Sequence, residues 1–202
     1  MPFDKSLLGA YRVLSTPLIS DSMGRMSGIL GLQPYHGLGR LVGPAFTVKT
    51  RPGDNLWIHK ALDAAAPGDV VVIDGGGVLE RALVGELMCS YAAWRGIAGV
   101  VVSGAVRDIA YFRDSGFPCF AAGNTHRGPF RDGPGKLQVP VSIGGEVVSP
   151  GDLIIGDEDG VLAISAVEAA EVLVRARALA AKEEGDKVAI RAGTWDRSWV
   201  AR

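Results

Sequence analysis

The chain contains little cysteine: only Cys89 and Cys119 among 202 residues. Neither belongs to a C-x-x-C pair, which argues against a structural zinc site and against a disulfide framework. Each lies among apolar residues, the sequence setting typical of a buried free thiol. We therefore expect both cysteines to be buried and reduced, as in a cytoplasmic protein.

A basic excess and a long apolar run are also missing. The chain has 21 basic and 22 acidic residues, scattered along its length, and a formal net charge of -1, so we expect no nucleic-acid partner. No stretch of about 18 apolar residues is present that could span a membrane. The beginning, MPFDKSLLGAYRVL, lacks the apolar core of a signal peptide. These absences predict a cytoplasmic protein without a membrane partner.

The nucleotide-binding motifs are incomplete. The run VVVIDGGG contains Gly75-x-Gly77, the beginning of a G-x-G-x-x-G fingerprint, but Glu80 stands where the third glycine belongs. An acidic side chain at that position would repel a pyrophosphate, and the same stretch fails as a methyl-donor loop. No G-x-x-x-x-G-K-[ST] phosphate loop is present. We therefore expect neither a dinucleotide nor a methyl-donor cofactor.

Hydrolase and histidine-metal motifs are missing too. There is no G-x-S-x-G elbow, and His36, His59 and His126 are too far apart to form H-x-x-x-H. His126 lies in a polar loop, where it is either exposed to solvent or in contact with a substrate. The string Asp157-Glu158-Asp159-Gly160 begins like a calcium loop but lacks the later bidentate Glu, so it predicts a β turn.

What the chain does contain is an alternation of helix and strand patterns followed by a run of short strands. With 48% hydrophobic residues and no linker, residues 1–202 are expected to form one layered α/β domain with a mixed sheet. The tail, 185–202, is expected to be either mobile or packed on a neighbour. Predicted strands cover 45–50, 70–74, 82–84, 99–103, 118–121, 139–143, 146–149, 152–156 and 161–164. Predicted helices cover 55–66, 85–95, 108–115 and 167–184, after a helix or turn capped by Ser20-Asp21.

Residues 79–95 allow two interpretations. They could form one long helix, or a short strand over 82–84 followed by a helix that starts near Gly85 and ends at Arg95. We favour the second interpretation, because glycine is unfavourable inside a helix and Glu86 suits the first turn of one.

Glu86 is followed, after a gap of twenty residues, by the pair Arg107-Asp108. Both segments end a strand pattern and open a helix pattern, so two carboxylates and one guanidinium stand at two strand-to-helix turns. Carboxylates are ligands of hard cations such as Mg2+, and arginine binds carboxylates through two hydrogen bonds. The spacing is therefore typical of a site for a divalent metal and an anionic substrate.

Asp108 has a second interpretation, because an aspartate at a helix start also serves as an N-cap. As a functional residue, a carboxylate at a helix N-terminus stays ionised and available to a metal. The free amides of Leu87 and Met88, in the first turn after Glu86, could receive a substrate carboxylate. The spacing alone leaves both interpretations of Asp108 open.

Long strings of the sequence resemble one protein family. Among them are LISDSMG, VGPAFTV, GDNLWIHKAL, APGDVVVIDGGG and ALVGELM, and the most specific are GAVRD and PGDLIIGDEDGV. From about residue 13 to 190 the chain resembles the family of class II 4-hydroxy-4-methyl-2-oxoglutarate aldolases and the regulator of ribonuclease activity A. The resemblance implies a swivelling β/β/α three-layer sandwich with mixed sheets, assembled as a homotrimer or homohexamer with the active site between subunits.

The resemblance also implies a metal site. Asp108 would bind Mg2+ or Mn2+ directly, and Glu86 would do so through water. Many family members have Asp where this chain has Glu86. The outer shell would be completed, again through water, by Glu183 or Glu184 from the last helix of a neighbouring subunit. The family often has Pro where this chain has His126.

For the substrate, the resemblance implies that Arg107, Gly85 and the amides of Leu87 and Met88 bind the pyruvyl end of a small 2-oxo acid. Retro-aldol cleavage would then yield pyruvate enolate, with metal-bound water relayed through Glu86 as the base. Oxaloacetate decarboxylation needs the same enolate and is the expected second activity. The alternative is a non-catalytic regulator that binds and inhibits a ribonuclease.

Overall fold

A computed structural model describes residues 3–201 of the chain. The helices are α1 Lys5–Tyr11, α2 Thr16–Ser22, α3 Leu56–Ala64, α4 Glu86–Trp94, α5 Ile109–Ser115 and α6 Ala169–Arg191, followed by a 3-10 turn at Ser198–Ala201. The strands are β1 Gln33–Pro34, β2 Leu41–Thr50, β3 Val70–Asp74, β4 Ala82–Val84, β5 Gly99–Val106, β6 Cys119–Asn124, β7 Gly135–Leu137, β8 Val141–Ile143, β9 Glu146–Val148, β10 Leu153–Asp157 and β11 Gly160–Ile164.

One mixed sheet organises the domain. Its strand order is β1-β6-β5-β3-β2-β10-β11, with β4 paired to β5 and β7 paired to β2. The contiguous strands β6, β5, β3 and β2 run parallel to one another, and β4 is parallel to β5. Buried β-branched residues are concentrated in two of the parallel strands, in the VVVID of β3 and in Val100, Val101 and Val102 of β5, because both faces of this part of the sheet are covered.

Three clusters of buried side chains define the layers. Helices α3, α4 and α5 pack on one face of the parallel strands, with Ile58, Cys89 and Phe112 in that cluster. The opposite face packs against the β8–β9 hairpin through Val141 and Ile143. A third cluster joins α1, α2 and α6 to β10 and β11. This arrangement of a helical layer, a central sheet and a second β layer confirms the predicted α/β class and the three-layer sandwich.

Most predicted elements are present, and the short strand β4 followed by α4 confirms the favoured interpretation of residues 79–95. Four details of the prediction were wrong. The strand predicted over 99–103 does not end there, because β5 continues through Gly104-Ala105 to Val106 with a shift of register against β6. Strand β2 is ten residues long and buried on both faces. Helix α6 runs seven residues beyond Glu184, and Ser20-Asp21 lie in the last turn of α2 rather than at its beginning.

The predicted burial of the cysteines and the predicted β turn at Asp157-Glu158-Asp159-Gly160 are confirmed. Both thiols are buried, and burial raises the pKa of Cys89 and Cys119. The β turn lies between β10 and β11, and its first carboxylate, Asp157, is buried. The Asp157 carboxylate accepts hydrogen bonds from the backbone N–H and hydroxyl of Thr16, at 2.8 and 2.5 Å, and so attaches α2 to the hairpin.

Parallel strands place all their carboxyl ends at one edge of the sheet, which is where open α/β sheets commonly bind ligands. Three strand-to-helix connections meet at this edge: β2 to α3, β4 to α4, and β5 to α5.

Within residues 3–201, no helix has the length and apolar character that a membrane crossing requires.

Candidate functional site

Arg107 and Asp108 form the connection between β5 and α5. Asp108 has a left-handed backbone conformation, with φ 58° and ψ 47°, which is uncommon for a residue with a side chain but is tolerated by Asp and Asn. Its side chain makes no capping hydrogen bond to α5. The N-cap interpretation of the Asp108 carboxylate is therefore wrong, because the side chain points to a different helix.

That helix is α4. The backbone N–H of Glu86 donates to Asp108 Oδ2 at 2.9 Å, and Arg107 Nε lies 3.5 Å from the same oxygen. The N–H of Arg107 in turn donates to the carbonyl of Val84 at 3.1 Å. Two turns that are 22 residues apart in sequence are thus joined through Asp108, as the spacing predicted.

Gly85 lies against this pair. A Cβ atom at position 85 would stand 2.8 Å from Arg107 Cγ and closer still to Asp108 Oδ2. Any side chain here would displace both residues, so glycine is required by close packing rather than by an unusual φ. The structure therefore brings Gly85 to the predicted site as a packing residue.

The first turn of α4 presents polar groups at the same place. The Glu86 carboxylate is exposed, and Leu87 and Met88 stand at positions where a helix provides no i-4 acceptor for the backbone N–H. The positive end of the α4 dipole adds to the attraction for an anion. The two amides that the sequence suggested for a substrate carboxylate therefore lie beside Arg107 and Asp108.

Two cavities flank Arg107. The outer cleft, of about 300 Å³, is lined by Arg107, Asp108, Ile109, Asn124, Thr125 and His126. The inner pocket, of about 250 Å³, is lined by Asn55, His59, Ala82, Leu83, Val84, Gly85, Leu87, Met88, Arg107, Pro129 and Arg131. A larger cavity of about 430 Å³ lies beside Lys49 and Lys136, but no predicted site residue lines it. The candidate site is therefore identified by the residues that line the two smaller cavities and not by cavity volume.

Asn55 lines the inner pocket and carries an unsatisfied acceptor. Its side chain is 2% exposed, and its Nδ2 donates to the carbonyl of Leu83 and to Met88 Sδ, both at 3.2 Å. Because a carbonyl can only accept, the bond to Leu83 fixes which end of the amide is the nitrogen. The other end, Oδ1, is buried and has no hydrogen-bond partner among the described residues. A buried acceptor of this kind is costly unless a ligand or a water donates to it.

His59, on the next turn of α3, lines the same pocket. Burial lowers the pKa of His59 below its ordinary value of 6.5, and the nearby Arg131 charge lowers it further, while Asp63 opposes both. His59 is therefore neutral near pH 7 and can accept a proton from a ligand. As the pH falls below about 6.5, the imidazole of His59 takes up a proton in the unfolded chain before it does so in the folded protein. Protonation therefore favours the unfolded state, and His59 lowers the free energy of unfolding on the acid side of pH 6.5.

We expect the ring protons of His59 to titrate below pH 6.5 in an NMR experiment, with the signal assigned through His59→Gln. Arg131→Ala should raise the midpoint, because it removes one of the two causes of the low value. Arg127→Ala, in the same loop, is the matched control and should leave the midpoint in place. A midpoint at or above 6.5, or one that does not respond to Arg131→Ala, would contradict the assignment.

The donor set fits a hard cation held by few protein atoms. The side chain of Asp108 is 40% exposed, and only Oδ2 is engaged by Glu86 and Arg107, so Oδ1 remains available. Within residues 3–201, no cluster of three His, Cys, Asp or Glu side chains could enclose a metal. Mg2+ commonly binds through one or two carboxylates and keeps several waters, so Asp108 with Glu86 nearby suits it.

The two predicted outer-shell residues lie elsewhere. Glu183 and Glu184 are on the C-terminal half of α6 and line neither cavity. Glu184 is paired with Lys187 and Arg191, each at 3.5 Å. Glu183 makes no salt bridge in the part of the chain that the structure describes. Within one chain, neither glutamate joins the site.

Sequence reasoning missed three residues of the inner pocket: Asn55, His59 and Arg131. Asn55 stands at the start of α3, after a strand, which is the same kind of position that identified Glu86 and Asp108. That signal could have revealed Asn55. Arg131 comes from the long loop before β7, and no local pattern indicates where such a loop will lie.

Comparisons with known proteins point to one family. The family described as "RraA-like: Aldolase/RraA" matches residues 16–163. A protein of Halalkalibacterium halodurans named "Putative 4-hydroxy-4-methyl-2-oxoglutarate aldolase" is 40% identical over 181 residues, which cover 89% of this chain and 86% of that protein.

Solved structures give the same result. An uncharacterized protein from Pseudomonas syringae pv. tomato superposes with a TM-score of 0.87 at 31% identity, covering 96% of this chain and 92% of that one. The RNA-processing inhibitor RraA from Thermus thermophilis superposes with a TM-score of 0.68 at 32% identity, covering 75% of this chain and 92% of that one.

Proposed function

This chain belongs to the RraA-like family, which joins aldolases with RraA proteins, and we propose that it is a carbon–carbon lyase that releases pyruvate from a 4-hydroxy-2-oxo diacid. The preferred substrate is 4-hydroxy-4-methyl-2-oxoglutarate or a close relative. The observation that carries the proposal is the position of Arg107 between two cavities, beside an available carboxylate on Asp108 and the free amides of α4. A 2-oxo acid needs such a set at its pyruvyl end.

Arg107 and the amides of Leu87 and Met88 bind the pyruvyl carboxylate and the neighbouring keto oxygen. Arginine is suited to this task because its planar group donates two parallel hydrogen bonds. Asp108 would hold Mg2+ or Mn2+, which, when bound, supplies Lewis acidity at the keto oxygen. Arg107 also stabilises the negative charge that develops on that oxygen, in a position fixed before the reaction begins.

The inner pocket receives the rest of the substrate. Asn55 Oδ1, which lacks a donor, accepts a hydrogen bond from a water held beside the substrate. Arg131 pairs with the distal carboxylate, since it is the second arginine that lines the pocket, besides Arg107. His59, neutral because of its low pKa, can accept the hydroxyl proton, and so can water relayed through Glu86, the base expected from the sequence.

The bond changes follow from this placement. The base removes the proton of the 4-hydroxyl group, the C3–C4 bond breaks, and its electron pair passes into pyruvate enolate. The C4 fragment leaves as a second 2-oxo acid, which for 4-hydroxy-4-methyl-2-oxoglutarate is another pyruvate. The enolate then takes up a proton at C3. Oxaloacetate would yield the same enolate by losing carbon dioxide, so decarboxylation is the proposed second activity of this site.

Assembly is part of the proposal. A neighbouring subunit in a homotrimer or homohexamer would bring a glutamate of α6 toward the outer cleft. Of the two candidates, Glu183 fits better, because Glu184 is already paired with Lys187 and Arg191. Among the described residues Glu183 forms no salt bridge, so its carboxylate could bind at the outer cleft of a neighbouring subunit without breaking one.

The test is pyruvate release from 4-hydroxy-4-methyl-2-oxoglutarate and from oxaloacetate, measured with a lactate dehydrogenase coupled assay. We expect turnover with Mg2+ or Mn2+ and its loss on addition of EDTA, followed by recovery when excess metal is returned. No metal-dependent release from either substrate would refute the lyase proposal. In that case, tight binding to a ribonuclease would favour the regulator function, which the similarity to an RNA-processing inhibitor keeps as the alternative.

A further inference from the structure

The loop of residues 125–134, here called the roof loop, covers both cavities. It supplies Thr125 and His126 to the outer cleft, and Pro129 and Arg131 to the inner pocket. A loop of this kind places a side chain reliably only if its backbone is attached to the rigid part of the fold. The attachments of the roof loop therefore decide where Arg131 stands.

One attachment lies next to β4. The carbonyl of Arg127 accepts a hydrogen bond from the N–H of Ala82 at 2.8 Å, and Arg81 Nη1 donates to the carbonyl of Gly128 at 2.8 Å. The Arg81 guanidinium also lies 3.9 Å from the centre of the Phe130 ring. These contacts hold the first half of the loop and do not involve α3.

The second attachment is the carboxylate of Asp54. This side chain is fully buried, and its Oδ2 accepts hydrogen bonds from the backbone N–H groups of Asp132 and Gly133, at 2.7 and 2.9 Å. Its Oδ1 accepts from the N–H of Leu56 at 2.9 Å, at the start of α3. Arg51 Nη2 lies 3.3 Å from Oδ2 and balances the charge.

Asp54 thus joins the start of α3 to the roof loop, with one site residue on each side. Asn55 follows Asp54 directly, and its N–H donates to the carbonyl of Phe130 at 3.0 Å. Arg131 stands between Phe130 and Asp132, so both of its backbone neighbours are bonded to the segment 53–55. A shift of this attachment would change the position of Arg131 relative to Asn55 in the lining of the pocket.

We propose that Asp54 is a positioning residue that holds Arg131 beside Asn55 in the lining of the inner pocket and thereby sets the affinity for the distal carboxylate of the substrate. The proposal rests on the proposed function for one point only, which is that the ligand is a 2-oxo acid with a distal carboxylate. The Asp54 carboxylate does not line either cavity and does not contact the substrate. It acts through the backbone of the roof loop.

The first experiment is hydrogen exchange on Asp54→Ala, with Asp54→Asn as a second variant should the first not fold. We expect exchange of the Asp132 and Gly133 amides to rise at least about tenfold, because their acceptor is gone. The matched control is Asp157→Ala, which removes the other buried carboxylate that joins a loop to a helix N-terminus. Unchanged protection of the amides of residues 130–133 in both Asp54 variants would overturn the attachment.

The second experiment measures binding in the presence of Mg2+ by calorimetry. The probes are pyruvate, which has only the pyruvyl end, and 2-oxoglutarate, which adds the distal carboxylate and cannot undergo retro-aldol cleavage. Asp54→Ala should weaken 2-oxoglutarate binding on the order of 10- to 100-fold and change pyruvate binding less than about twofold. Equal weakening of both ligands would show general damage and overturn the positioning role.

A double mutant separates positioning from any direct effect. In the Arg131→Ala background, Asp54→Ala should weaken 2-oxoglutarate binding by less than about twofold, because the group that it positions is absent. A full effect in that background would overturn the proposal. Since these measurements need no turnover, a wild-type protein that binds 2-oxoglutarate but releases no pyruvate would refute the lyase proposal and leave the role of Asp54 supported.

Discussion

Asp108→Asn should lower kcat/KM for metal-dependent pyruvate release on the order of 1,000-fold, with the folded structure preserved. Asparagine tolerates the left-handed backbone of this position as well as aspartate does, and its side-chain oxygen can still accept from the Glu86 N–H. What it loses is the negative charge that would hold the metal. The activating effect of Mg2+ should therefore vanish together with turnover, and calorimetry should show loss of Mg2+ binding in the presence of pyruvate.

The chain offers a closely matched control for this variant. Arg113 and Asp114 form a second Arg-Asp pair on α5, with Arg113 Nε 3.5 Å from Asp114 Oδ1, the same spacing as in the site. Asp114 is 73% exposed and lines neither cavity. Asp114→Asn should leave turnover and Mg2+ activation unchanged. If Asp108→Asn kept more than about a tenth of wild-type turnover at saturating Mg2+, the role given to Asp108 would be wrong.

Arg107→Lys should lower kcat/KM on the order of 100-fold, although the positive charge is retained. Lysine cannot form two parallel hydrogen bonds with a carboxylate, and its single ammonium group cannot contact both Asp108 Oδ2 and the pyruvyl end, as proposed for Arg107. We expect most of the loss in kcat, because the developing charge on the keto oxygen is stabilised only in the transition state. Initial rates with 4-hydroxy-4-methyl-2-oxoglutarate over a range of concentrations would separate kcat from KM.

Arg113→Lys is the control for the arginine variant and should behave as wild type. Binding of 2-oxoglutarate offers a further check, because Arg107→Lys removes a contact at the pyruvyl end while Arg131 remains. Both pyruvate and 2-oxoglutarate should therefore bind more weakly to Arg107→Lys. A variant that kept wild-type kcat and lost only affinity would show that Arg107 binds substrate without assisting the bond cleavage.

The core of the site could be predicted from sequence because it depends on local features. Glu86 and Arg107-Asp108 each follow a buried strand and open a helix, and parallel strands bring such turns to one edge of a sheet. The family resemblance, confirmed by the match over residues 16–163, added the fold and the expected chemistry. The backbone bond from Glu86 to Asp108 Oδ2 then joined the two turns that the spacing had placed together.

The inner pocket could not be predicted in the same way. Asn55 and His59 belong to a third strand-to-helix turn, and their relation to Arg107 depends on the order β5-β3-β2 in the sheet. Arg131 depends on a loop whose path is fixed by a buried carboxylate, and nothing in the sequence near Asp54 shows which backbone amides it will accept from. The length of β5 was underestimated for a related reason: tertiary pairing with β4 and β6 keeps Gly104 in an extended strand.

The bond between the Glu86 amide and the Asp108 carboxylate also has a consequence for folding. It joins residues on two helices whose preceding strands, β4 and β5, must first pair in parallel, and such non-local pairing forms slowly in a refolding chain. A partly folded intermediate with its helices in place would therefore have an Asp108 that is free to move and a site that does not yet exist. The proposed ability to bind a 2-oxo acid would therefore require that β4 and β5 have already paired.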